Sequence, residues 1–324
     1  MKPINLIWLH GQSCGGDTVS LIGAGEPSLI DVLTGVLPEV GDIKLAFHPM
    51  IMASWGERAL GVLADAREGK LDPFLLIFEG SIPDEEQASR QGGFFCSVGD
   101  RAGKLVTANE LLLELKGRAA ATVAVGTCAA FGGIVAGKPN PTGAKGLMHF
   151  LGKDYRSALG LPVINVSGCP ASGDNYIKAL TYIALMARGV VTVPPELDEH
   201  NRLKFLHGEL AHHICPRGGY FADGKYSYQF GDPYCMVWLG CKGPISYCQV
   251  PRDKFAGHLG GCTTVGSPCI GCTEPGFPDE PFSPFFEMAP AKSLATGVTP
   301  GNPHFIKECA TAQEHLFHLI SRRI

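Results

Sequence analysis

No stretch of this sequence approaches the roughly 20 consecutive apolar residues that a bilayer span needs. No block of like charge is present, and 27 Lys and Arg against 31 Asp and Glu leave a net charge of −4. A polyanion grip on nucleic acid and a polybasic hold on an acidic membrane are thereby excluded. Internal repeats and low-complexity tracts are missing. The opening MKPINLIWLHG has too short an apolar part, followed too soon by polar residues, to be a signal peptide. A cytoplasmic location is expected, compatible with docking at the inner face of the membrane. LIGAGEPS (21–28) lacks the full glycine fingerprint of a nucleotide loop and follows no further strand. It reads as a turn into a helix capped by Ser28.

What the chain has in quantity is cysteine: twelve in 324 residues, at positions 14, 96, 128, 169, 215, 235, 241, 248, 262, 269, 272 and 309. In a small secreted domain that number suggests disulfides, whereas in a cytosolic chain of this length it points to metal or catalysis. Seven of the twelve fall between Cys215 and Cys272, among glycines and prolines. Hydrophobic residues at 45% and charged residues at 18% fit a well-buried globular protein.

The first half alternates short apolar runs with helical patterns. INLIWL (4–9), PFLLIF (73–78), ATVAVG (121–126) and LPVINV (161–166) have the character of strands buried in a parallel sheet. Helices are expected over 28–37, 57–67, 104–116 and 174–188, with Ser28 and Asp174 as N-caps. This alternation predicts an α/β fold with a doubly wound parallel sheet over 1–188. A linker, VVTVPPELDEH, then opens an irregular segment over 189–280, rich in Gly, Pro and Cys. So little apolar periodicity asks for something besides a core to hold it, and bound metal would serve. The tail, 281–324, starts with the aromatic PFSPFFEMAP. It suits packing on another surface or wrapping its own domain.

Polar residues follow the expected strands: Cys14 and Asp17 after 4–9, Glu79 after 73–78, Cys128 after 121–126 and Cys169 after 161–166. Ligands of open α/β sheets bind in the crevice beyond the carboxyl ends of the strands, so these groups should converge. A single cysteine there is more often a small buried hydrophobe, but three at equivalent strand ends are harder to dismiss. Two readings of Asp17 stand equally: an iron ligand harder than a thiolate, or a helix N-terminal carboxylate favoured by the macrodipole. Further on, His212, Cys215, Cys235, Cys241, Cys248, Cys262, Cys269 and Cys272 supply eight soft donors, enough for two four-ligand sites. Cys269-x-x-Cys272 is a specific chelate spacing. Zinc modules usually pair two such chelates, and only one is present, which favours electron relay over structural zinc.

In this order WLHGQSC, FEGSIP, GTCAAFGGI, NPTGA, SGCPA, HHICPR, YCMVWLGCKGP and GSPCIGCTEP resemble the small subunit of nickel–iron hydrogenases, from about residue 4 to 280. The resemblance implies a flavodoxin-like N-terminal domain, an irregular iron–sulfur cluster-binding domain, and three clusters. These would conduct electrons away from a nickel–iron centre in a separate large subunit. It implies a proximal 4Fe–4S cluster on Cys14, Asp17, Cys128 and Cys169. A distal 4Fe–4S cluster would use His212, Cys215, Cys235 and Cys241, with His212 rather than His213 because the motif is His-x-x-Cys. A medial cluster would use Cys248, Cys262, Cys269 and Cys272. Glu79 would lie near the contact with the large subunit, a candidate for the proton path, and no catalytic residue is expected in this chain.

Asp17 stands where the family usually has its second cysteine, which is similar to the actinobacterial-type, oxygen-insensitive branch. Cys262 stands where many relatives have a proline, so the medial cluster is either 4Fe–4S or 3Fe–4S. The Cys241–Cys248 spacing is shorter than in typical members. Cys96 and Cys309 match no ligand motif and read as structural thiols. The family's nickel–iron centre is held by two Cys-x-x-Cys pairs on the large subunit, so this chain should not split hydrogen by itself. Heterodimers that assemble further are expected. The rivals are the small subunit of a regulatory, hydrogen-sensing complex and a structural zinc-binding module.

Overall fold

The computed structural model describes residues 2–287, except Pro38 and Glu280. Seven strands form: β1 (Ile4–His10), β2 (Ile43–Phe47), β3 (Phe74–Glu79), β4 (Ser97–Arg101), β5 (Lys104–Thr107), β6 (Ala121–Val125) and β7 (Ile164–Val166). Five of them make a wholly parallel sheet in the order β2-β1-β3-β6-β7. Counted by their rank among those five, the order is 2-1-3-4-5, that of flavodoxin-like folds, with its switch point between β1 and β3. The runs INLIWL, FLLIF and ATVAV are buried almost without break because helices cover both faces of such a sheet.

Register carries this order into function. His10 pairs with Glu79, Glu79 with Val125, and Val125 with Val166. One row across the sheet thus marks the carboxyl ends of four strands, and the loops with Cys14, Cys128 and Cys169 leave from that row.

Several local expectations are corrected. The segment 104–116 is not one helix: Lys104–Thr107 pairs antiparallel with β4, and the helix Ala108–Leu115 starts behind it. Thr107 is the N-cap, closing a capping box with Glu110, so the helix cannot begin earlier. Ser28 caps as expected, through a box with Asp31, but the helix covers only Leu29–Leu33. Asp174 lies inside the helix Gly173–Ala187, whose N-cap is Ser172; its Oδ1 instead accepts the Gly25 amide at 2.8 Å.

The chain divides into two compact units after Lys204 rather than at 188. The intervening stretch belongs to the first unit because the Asn165 amide donates to Asn201 O at 2.9 Å and Leu203 is fully buried. In the second unit the described residues form short helices, turns and isolated β-bridges, with helices such as Gly218–Ala222, Val237–Leu239 and Gly243–Ile245. One small apolar cluster there joins Cys235 and Val237 to Phe221, Tyr226 and Ile245. The described part of the aromatic tail packs within this unit: Phe282 is buried and Phe285 stacks on Phe277 at 5.6 Å. The remainder of the expected tail, with Cys309, lies outside the described residues.

Candidate functional site

Cys14, Asp17, Cys128 and Cys169 come together beyond the strand ends. Cys169 lies within electrostatic range of Cys128, Asp17 and Cys14. Burial, and then those neighbouring charges, push its thiol up to about 12. Cys128 is raised as well, chiefly by burial, against two amides, Ile134 and Val135, that donate to its sulfur. Gly16 N donates to Cys14 Sγ at 3.4 Å. Backbone N–H groups aimed at sulfur are what thiolate ligands of an iron–sulfur core use.

Asp17 sits in the first turn of the helix Gly16–Ile22, yet makes no capping bond. Its Oδ1 accepts from the Ala171 amide at 3.2 Å and from the Tyr176 hydroxyl. Oδ2 lies against Gly126, where a Cβ would stand 2.1 Å from it; Gly126 has φ +81 and could carry a side chain only under strain. Burial raises the Asp17 carboxyl to about 7, outweighing the Tyr176 and Ala171 hydrogen bonds that lower it. Among the described residues no basic side chain makes an ion pair with it. A buried carboxyl lacking a cation, beside three thiols, fits a metal-bearing group.

Glu79 ends β3 and is fully buried in this chain. Trp8 Nε1 donates to it at 3.0 Å, Ser13 Oγ at 2.8 Å, and the Thr18 hydroxyl as well. His10 Nε2 stands 3.1 Å away. Burial alone would raise its pKa, but these partners together hold it down to about 2. His48 adjoins Thr18 at 3.3 Å and accepts the Met50 amide through Nδ1, which leaves Nε2–H to donate to Thr18. Burial first, and His10 second, lower the His48 pKa to about 4. Sequence reasoning found Glu79 and missed His10, Thr18 and His48, because nothing in their spacing announces the cluster.

In the second unit a small pocket of about 20 Å3 is lined by His212, Cys215, Cys235 and Cys241, together with Arg217 and Thr263. His212 Nε2 is buried there and has no hydrogen-bond partner among the described residues. Burial lowers its pKa to about 4, which keeps the ring neutral with a free lone pair. Burial pushes Cys235 and Cys241 up to about 12. The Cys241 sulfur accepts the Cys269 amide at 3.3 Å and a bond from the Gly243 amide.

Cys269 in turn lies in electrostatic range of Cys248 and Cys262. Gly271, at φ +76, makes the turn between Cys269 and Cys272, and its amide donates to Cys269 Sγ at 3.4 Å. Among the described residues no three His, Cys, Asp or Glu side chains close on a single metal ion. A polynuclear core sets its ligands farther apart than one ion does. Cys96 belongs to none of these three gatherings: its thiol reaches His10 O at 3.5 Å and is raised by burial to about 11, as suits a structural thiol.

A parallel flavodoxin-order sheet with a cysteine-and-carboxylate crevice, in a chain that also has an irregular soft-donor segment, offers the donor set that iron–sulfur proteins use. Two family descriptions match: the 20 Kd subunit of NADH ubiquinone oxidoreductase over residues 14–183, and the C-terminal part of the NiFe/NiFeSe hydrogenase small subunit over 207–286. The chain is 35% identical to the periplasmic NiFeSe hydrogenase small subunit of Desulfomicrobium baculatum, over 88% of this chain and 87% of that one. It is 32% identical to the hydrogenase-2 small chain of Escherichia coli K12, over 84% of this chain and 67% of the other. Among solved structures, the actinobacterial-type NiFe-hydrogenase of Ralstonia eutropha H16 is similar at 34% identity and a TM-score of 0.85, covering 98% of this chain and 91% of that one. The chain belongs to the NiFe hydrogenase small-subunit family. Members of that family carry iron–sulfur clusters and pair with a large hydrogenase subunit.

Proposed function

We propose that this protein relays electrons through three iron–sulfur clusters. One would be held by Cys14, Asp17, Cys128 and Cys169, a second by Cys248, Cys262, Cys269 and Cys272, and a third by His212, Cys215, Cys235 and Cys241. The observation that carries the reading is the orphaned His212 Nε2, buried beside three cysteines in one pocket. A buried imidazole nitrogen without a partner costs stability unless a metal uses its lone pair. When bound, the clusters would take electrons from H2 oxidation in the large subunit and deliver them to an acceptor.

The chain's own residues set the terms. Thiols that burial holds protonated would have to release their protons to solvent before the thiolates could bind iron, so loading is coupled to proton release. His212 brings no charge where a cysteine would bring one, and this raises the potential of its cluster.

The test is anaerobic co-purification with the large subunit, followed by counting iron, acid-labile sulfide, nickel and zinc. Stoichiometric iron and sulfide in this chain support the reading; zinc in a colourless protein overturns it. Asp17→Cys should change the EPR signature or the midpoint of the proximal cluster, and an unchanged redox titration would remove Asp17 from the ligand set.

Lys242 supplies a second handle on potential. It is 5% exposed, and its Nζ donates to Glu287 O at 2.8 Å. Burial lowers its pKa, while the sulfurs of Cys241 and Cys269 raise it. A cation between ligands of two clusters stabilises the reduced form of each. Lys242→Met should lower both midpoints on the order of tens of millivolts and leave the proximal one alone. A titration in which all three stay fixed would argue against this charge effect.

A further inference from the structure

A carboxylate that replaces a thiolate has two oxygens and rotates about Cβ–Cγ, so it can meet iron in more than one way. In this chain one of those oxygens is taken. Tyr176, fully buried in the helix Gly173–Ala187, donates its hydroxyl to Asp17 Oδ1. The Ala171 amide, two residues past Cys169, donates to the same oxygen at 3.2 Å. Oδ2 is left against Gly126, two residues before Cys128, in the space a Cβ would otherwise fill. Asp17 caps nothing in its own helix, so its orientation is set from outside.

We propose that Tyr176 is the positioning residue for Asp17: by holding Oδ1 it leaves Oδ2 as the one oxygen offered to iron, and it weakens the carboxylate as a donor. The inference rests on Asp17 being a proximal ligand, as assigned above. A hydrogen bond to an anionic ligand draws electron density from it and makes the cluster easier to reduce. Tyr176 therefore tunes a potential without touching iron.

The experiment uses the whole complex, purified anaerobically, in four forms: wild type, Tyr176→Phe, Asp17→Cys, and the two combined. Each is measured by redox titration and EPR of the proximal cluster. Tyr176→Phe should lower the midpoint and alter the EPR line shape in the Asp17 protein. In the Asp17→Cys background the same change should have less than half that effect, because no carboxylate remains to be held. Equal shifts in both backgrounds would mean that Tyr176 acts through packing, and would overturn the proposal. A shift on Asp17→Cys with none on Tyr176→Phe overturns it alone. No shift on Asp17→Cys overturns the ligand assignment beneath it. Should Tyr176→Phe prevent assembly, 3-fluorotyrosine placed at position 176 keeps the ring and makes the phenol a stronger donor. The midpoint then rises; an unchanged midpoint overturns the proposal.

Discussion

Cys241→Ala is expected to strip about two thirds of the iron from the small subunit, not one third. Cys241 lines the pocket with His212, Cys215 and Cys235, so its loss opens that set directly. Its sulfur is also the acceptor for the Cys269 amide at 3.3 Å, and the next residue, Lys242, donates its own amide to Cys269 O at 2.7 Å. Cys269 belongs to the other gathering, with Cys248 and Cys262. Removing the sulfur leaves the Cys269 amide without its acceptor, a cost of about 1–3 kcal/mol if it stays buried, at the very residue that must present a thiolate. The second unit has only a small apolar cluster to absorb such a loss. Cys215→Ala opens the first set without breaking this link, so it should cost about one third of the iron. The measurement is iron and labile sulfide per heterodimer for the two variants in parallel. If both lose the same third, the two gatherings are independent and the link carries no weight.

The parts of this molecule that were legible in the sequence owe it to two kinds of signal. Strands β1, β3 and β6 are nearly continuous apolar runs because both faces of the sheet are covered, and β7 was marked by the run LPVINV that leads through it. The gathered donors were legible because cysteine and histidine are scarce and their chemistry narrow, and strand ends brought together what the chain keeps apart.

What was missed lacked both signals. Strand β2 is an edge strand with a partly exposed face, so IKLAF makes no unbroken apolar run. The β4–β5 hairpin is mostly exposed, and the pattern of its second strand runs on into a helix. Paired prolines suggest a linker after 188, whereas the compact first unit runs on to Lys204, with the Asn165 amide bonded to Asn201 O. Tyr176 sits in an apolar helix and looks like core. Only an approach across 159 positions gives its hydroxyl a task.

Glu79→Ala should destabilise the first unit by about 3–5 kcal/mol at neutral pH, because removing one member of a buried charged network leaves the others unpaired. Trp8, Ser13, Thr18 and His10 all address this one carboxylate, and Trp8 and Thr18 are themselves fully buried. The pH dependence provides an independent check. A carboxyl held at about 2 in the fold, against 4.5 when free, contributes about 3 kcal/mol wherever it is ionised in both states. Its folded pKa is the lower of the two, so the contribution is complete above 4.5 and disappears as pH falls from there toward 2. Wild-type complex should therefore lose stability to denaturant steeply across that window, and the Glu79→Ala complex should lose about 3 kcal/mol less over the same range. Glu79→Gln keeps acceptor and shape but not charge, and should fall between them at neutral pH. If the wild type and Glu79→Ala decline in parallel on acidification, the carboxylate is not what joins β3 to the helix Gly16–Ile22. The placement of Asp17 beside the Cys128 loop would then need another support, since Thr18, its neighbour in that helix, takes its anchor from Glu79.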